Sequence, residues 1–159
     1  MNAAGAPAVV LMTQVLALAG ILGQPPARGR PPDFMMLEAP NTRTIEKGDQ
    51  SNVDDAKQVL VRTDGEWTRL WQQHSPERPR PAVDFSKEMV VGVFMGSRPH
   101  AGFSTAIVST TAANGALIVR YTETLPKPGT VSAQILTFPY HLVAIAKTDV
   151  KDVKFEKVQ

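Results

Sequence analysis

The stretch Glu88–Met95, EMVVGVFM, is apolar or glycine at every position after the first, so a strand built on it has no face suited to water. Met89, Val91, Val93 and Met95 point one way and Val90, Gly92 and Phe94 the other. A strand apolar on both sides lies at the centre of a folded domain. The turn signal Asp84-Phe85-Ser86 leads into it, and Gly92 lets a helix or a crossing strand approach closely.

Upstream, a short strand at about Thr42–Glu46 precedes the turn-rich run KGDQSNVDD, and Lys57–Arg62 has the β-branched content of a second strand. The period then changes. Asp64 is expected to cap a helix with Glu66 in its first turn and with Trp67, Leu70, Trp71 and His74 along one stripe, until Pro76 and the run ERPRPAV stop it. Two tryptophans four positions apart anchor such a helix on a sheet. A flat platform for a glycan or other small ligand would instead need both rings in solvent. At the helix C-terminus, His74 is placed to meet the free carbonyls as a protonated imidazole.

Downstream, Asn114-Gly115 predicts a type I′ hairpin turn between strands at Phe103–Ala113 and Ala116–Leu125. That turn sets Val108 opposite Tyr121, Thr110 opposite Val119 and Ala112 opposite Leu117, unless a bulge near Ile107-Val108 changes the phase. After the turn at Pro126–Thr130, strands are expected over about Ser132–Lys147 and Val153–Val158. The expected architecture is α+β, with one amphipathic helix packed on an antiparallel sheet of six or seven strands.

A length of 159 residues at 43% hydrophobic content fits one domain of about 100–150 residues with a leader. Met1–Ala27 contain no charged side chain, and Ala8–Leu22 form an apolar stretch shorter than the ~20 residues of a spanning helix. Residues 1–23 therefore read as a signal peptide or short hydrophobic leader, 24–40 as a Pro-rich linker and 41–159 as the domain. Export to the periplasm, envelope or medium follows, with membrane contact only if the leader stays attached. A net charge of +2, from 17 basic and 15 acidic residues, offers no basic face for nucleic acid. The absence of cysteine excludes disulfides, Cys-ligated zinc and a lipid anchor, and no phosphate-cradling glycine loop or other cofactor signature is present. His74, His100 and His141 share no metal-ligand spacing, and an acid-base or metal site would need them to converge with Asp84, Glu88 or Glu123. Ser86, Ser104 and Ser109 lack a nucleophile elbow.

Five segments in order, KGDQSNV (47–53), EWTRLW (66–71), VDFSKEMVVGVFMG (83–96), AGFSTAI (101–107) and LTFPYHLVAI (136–145), resemble the C-terminal domain of the PrcB family. That family is named for a subunit accompanying a secreted bacterial protease complex. The resemblance spans about Asn41–Gln159 and implies a non-enzymatic, exported accessory domain that assembles with or stabilises a partner protein, a protease being the named case. Two departures matter: where many members have Gly-Gly, this chain has Ala101-Gly102, so a single residue there takes positive φ readily, and the chain lacks the cysteine by which the member that names the family is lipid-anchored. Partner-contact candidates are Arg98, His100, Gly102 and Phe103 ahead of the hairpin, with Phe138, Tyr140 and His141 from TFPYHLV. The competing reading packs the aromatic-Pro-aromatic segment inside, with the Tyr140 hydroxyl partnered and His141 a satisfied core histidine.

Overall fold

The computed structural model describes residues 42–159, so the expected leader and linker lie outside the described residues. In chain order the elements are β1 (Arg43–Gly48), β2 (Lys57–Val61), α1 (Asp64–His74), β3 (Glu88–Phe94), β4 (Ser104–Ala113), β5 (Ala116–Thr124), β6 (Tyr140–Ala146) and β7 (Asp152–Lys157). The strands form two sheets. One is the antiparallel sheet β1-β6-β3-β2, and the other is β4-β5-β7, in which β7 runs parallel to β5. No helix among the described residues is long and apolar enough to cross a membrane.

The two-sheet arrangement corrects the expected single sheet, and the central strand explains it. Because β3 is apolar on both sides, each side needs a cover. Val90 and Phe94 pack with Trp67, Leu70 and Trp71 of α1, whereas Met89, Val91 and Val93 pack with Ile107, Leu117, Val119 and Tyr121 of the second sheet. Strand β6 repeats the alternation, with Tyr140 and Leu142 toward the helix and Val143 and Ile145 toward the second sheet. The four-stranded sheet is thus the middle of three layers, with a core on either side. Gly92 lies between its two neighbours in that sheet: a Cβ there would stand 2.7 Å from Leu142 Cδ2 and 2.9 Å from Val59 Cγ2. Gly92→Ala is expected to cost about 1–3 kcal/mol of unfolding free energy in urea titrations, because both branched side chains must leave their rotamers.

Helix α1 starts one residue earlier than Asp64 suggests. Thr63 is the N-cap, its hydroxyl accepting from Glu66 N–H while the Glu66 carboxylate accepts from the N–H groups of Arg62 and Thr63. Threonine followed three positions later by glutamate closes a capping box, which outranks the aspartate inside it. Those backbone hydrogen bonds hold the Glu66 carboxyl below its ordinary pKa. Both indole N–H groups end on carbonyls of the Pro-rich run behind the helix, Trp67 Nε1 on Pro81 O at 3.0 Å and Trp71 Nε1 on Arg78 O at 2.9 Å. The segment that stops the helix also straps it to the core.

Strands β4 and β5 meet at Asn114 (φ 52°) and Gly115 (φ 76°), with Ala113 paired to Ala116. Thr110 lies opposite Val119 and Ala112 opposite Leu117, but the register shifts between Ile107 and Ser109, so Ile107 rather than Val108 faces Tyr121. Val108 is bulged out and exposed. The bulge turns Thr105 and Ile107 into the core, where phase-keeping pairing would have left them outside. The Thr110 hydroxyl is buried without a hydrogen-bond partner. Thr110→Val is accordingly expected to stabilise the fold by roughly 1 kcal/mol, read from the thermal midpoint. The last correction concerns residues 132–139, which run as an irregular loop, so β6 begins only at Tyr140.

Candidate functional site

Past Phe94 the central strand leaves the sheet and pairs irregularly with the approach to β6. Met95 N–H donates to Pro139 O, Arg98 and Thr137 exchange both backbone hydrogen bonds, and Ala101 N–H reaches Ala133 O. Two loops are zipped together in this way, one from Gly96 to Phe103 and one from Leu125 to Pro139. The second sits at the upper end of the roughly 12–15 residues that compact domains leave without secondary structure unless the loop is functional. Gly102 carries φ +104°, with Pro126 Cγ 3.0 Å from where a Cβ would stand, while Ala101 keeps an ordinary backbone. The single glycine therefore makes the sharp bend.

Phe103 stands at the middle of this end of the molecule, half-buried, with the His100 ring centroid 5.0 Å from its own and the Arg98 guanidinium carbon 5.8 Å over it. On one side lies a cavity of about 330 Å³ bordered by His100, Leu125, Lys127 and Gln134. On the other, a cavity of about 320 Å³ is bordered by Arg98, Leu125, Glu123 and Lys157. Phe103 and Leu125 line both. The loop also holds Leu125, Ile135 and Leu136 at 52–62% exposure, and Val131 is fully exposed. These four aliphatic side chains, with Val108, are the large hydrophobics that the described residues leave in solvent.

Of the seven expected contact residues, Arg98, His100, Gly102 and Phe103 come together here. Phe138 is half-buried beside a different cavity, of about 460 Å³, shared with Ser51, His74 and Arg78. Tyr140 and His141 lie inside, at 3% and 6% exposure, where no partner reaches them without rearrangement. His141 accepts from Ile107 N–H through Nδ1 at 2.8 Å and sits 3.1 Å from Thr44 Oγ1 through Nε2. It ties β6 to the bulged part of β4 and to β1. Sequence reasoning missed the aliphatic side chains of the long loop, although Leu125, Val131, Ile135 and Leu136 stand in plain view in the stretch that holds Pro126, Pro128 and Pro139.

His74, expected as a protonated cap, is instead a buried ring whose protonation is disfavoured. The rings of Trp71, Phe94 and Tyr140 surround it, Ser51 Oγ lies 2.8 Å from its Nδ1, and Glu46 Oε2 lies 3.1 Å from its Nε2. Burial lowers its pKa, and the Glu46 carboxylate only partly opposes this. Glu46 is also bound by Arg78, and the buried Tyr140 phenol next to them has its pKa raised, chiefly by burial. Burial, helped by Lys47, pushes the His141 pKa down from 6.5 to about 4. Both shifts have the same sign. The unfolded chain binds a proton on each histidine near pH 6.5 and the folded chain resists it, so stability is fully present above that pH and falls as pH drops toward about 4. Urea unfolding between pH 8 and pH 4 is expected to show a loss on the order of a few kcal/mol, and His141→Leu should flatten the curve. A pH-independent stability across that window would refute the neutral-core assignment.

The three histidines stand in separate environments, His100 on its loop bonding Ala101 O, and among the described residues no cluster of His, Asp or Glu has the makings of a metal site. The indoles of Trp67 and Trp71 are buried at 0% and 4% exposure, which removes the flat aromatic platform. No curated protein and no solved structure matches the chain. Residues 89–146 match the family model described as PrcB C-terminal, a stretch that holds β3 to β6 and both loops around Phe103 and leaves β1, β2, α1 and β7 outside. Over those residues the chain is similar to the PrcB C-terminal domain.

Proposed function

We propose that this protein is an exported, non-enzymatic accessory domain that docks on a partner protein through the face around Phe103 and helps it assemble or persist, the partner being a secreted protease. The observation that carries this is the placement of Leu125, Val131, Ile135 and Leu136, all more than half exposed, on one long loop of a domain whose other large apolar side chains, Val108 apart, are buried or half-buried among the described residues. Solvent-exposed aliphatics beside arginine and an aromatic anchor are what a protein interface requires before its partner arrives. Export is supported by the uncharged leader segment Met1–Ala27. A photo-crosslinking residue at Leu136 of the full chain, produced in its own cells, should trap one exported protein, while the same residue at Arg69 on the far face should not. Equal trapping from both positions, or none from Leu136, would count against the proposal.

A hydrolase is the second reading, favoured by one observation: Ser51 Oγ, His74 and Glu46 form a hydrogen-bonded chain beside the 460 Å³ cavity. The order of groups is that of a nucleophile, a neutral base and an orienting carboxylate. Against it, Ser51 is 5% exposed and its Oγ also accepts from Val53 N–H, so the hydroxyl is held in a turn. Labelling of Ser51 by a fluorophosphonate, abolished in Ser51→Ala, would carry this reading. An unlabelled chain leaves the accessory role.

A further inference from the structure

We infer that the paired cavities on either side of Phe103 and Leu125 take an extended segment of the partner protein, one that sets an apolar side chain into each and presents carboxylates to Arg98 and Lys127. This rests on the accessory reading and adds the chemistry of what is recognised. The two cavities are nearly equal, about 330 and 320 Å³, and share their dividing wall, so a single chain crossing that wall reaches both. Alternate residues of an extended chain point to one side about 7 Å apart, which suits two neighbouring hollows better than a helix face does.

Charge selects the occupant. Lys127 borders the first cavity and Arg98 the second, and neither has a carboxylate partner among the described residues. Among the described residues the Arg98 side chain reaches only its neighbour's carbonyl, Ser97 O, and the Phe103 ring. Glu123, which borders the second cavity, is already bound by Lys157 at 2.5 Å. The rim is therefore left cationic, and an acidic apolar segment complements it where a basic one would be repelled.

The test uses the full chain and a fluorescein-labelled peptide alternating leucine and glutamate, with lysine-for-glutamate and serine-for-leucine versions beside it. Anisotropy titration should show saturable binding of the first and at least about tenfold weaker binding of the other two. Arg98→Gln combined with Lys127→Gln should weaken the first peptide about five- to tenfold and flatten its salt dependence, while Arg69→Gln on α1 leaves it unchanged. Since Arg98 also covers the Phe103 ring, Lys127→Glu alone separates charge from packing and must weaken binding as well. Equal affinity for the glutamate and lysine peptides, indifference to these substitutions, or no binding at all overturns the inference. If crosslinking from Leu136 still traps a partner in that event, the accessory role survives without this chemistry; if it does not, both fall.

Discussion

Replacing Trp67 with alanine is expected to lower the free energy of unfolding by about 3–5 kcal/mol, a large share of the 5–15 kcal/mol that holds a typical domain together. The indole is fully buried between α1 and the middle sheet, and its centroid lies 5.4 Å from that of Trp71. Truncation leaves a void that the surrounding strands cannot close, because the second sheet braces them from behind. It also orphans Pro81 O, which receives the Trp67 Nε1 proton, and so loosens the strap across the helix. Trp67→Phe keeps much of the volume and loses that hydrogen bond, and should cost only about 1–2 kcal/mol. Urea unfolding followed by circular dichroism measures both. A loss below about 1 kcal/mol for the alanine variant would mean that the helix is not seated as described.

Gly96→Ala is expected to be nearly as damaging, above about 3 kcal/mol, for a reason that contact removal does not cover. At φ +73° an alanine already bears a conformational cost of roughly 1–2 kcal/mol. Its Cβ would in addition stand 2.6 Å from Asp54 O and 2.7 Å from Ala56 N. Those are backbone atoms and cannot swing aside. The loop they belong to holds Val53 in the core on the helix side and receives Ser97 N–H on Asp54 O, so displacing it opens the domain at the root of the Phe103 loop. Gly115→Ala isolates the conformational part, since Gly115 has a similar φ of +76° and nothing within 4 Å of a Cβ. It should cost about 1–2 kcal/mol, and equal losses at the two positions would contradict the close approach at Gly96.

How much was legible in advance follows from how local each signal is. The double-sided strand, the tryptophan stripe and the Asn114-Gly115 turn announce themselves within a few residues, and each lies where its pattern puts it. What covers the second side of β3 does not announce itself, because the partner strands lie beyond Ser104 and the same alternation serves one sheet or two. The Val108 bulge was legible only as one of two phases: one extra residue shifts the phase of everything before it, and the side chains on either phase are apolar enough to leave the choice open. At the candidate face, Arg98, His100, Gly102 and Phe103 were readable as loop residues beside a strand. Tyr140 and His141 share their composition but belong to β6, whose burial on both faces no short motif reveals. The network of Ser51, His74 and Glu46 draws on β1, α1 and the loop after β1, and only tertiary packing places the ring where its proton is disfavoured.

The separation between a rigid interior and a working loop is open to direct measurement with the double variant Leu125→Asp, Leu136→Asp. Both side chains lie in solvent, so the unfolding free energy should stay within about 0.5 kcal/mol of the parent while crosslinking of the proposed partner, from a probe at Ile135, is lost. A double variant that unfolds, or one that folds normally and still traps the same partner, would contradict the assignment of this loop as the docking face.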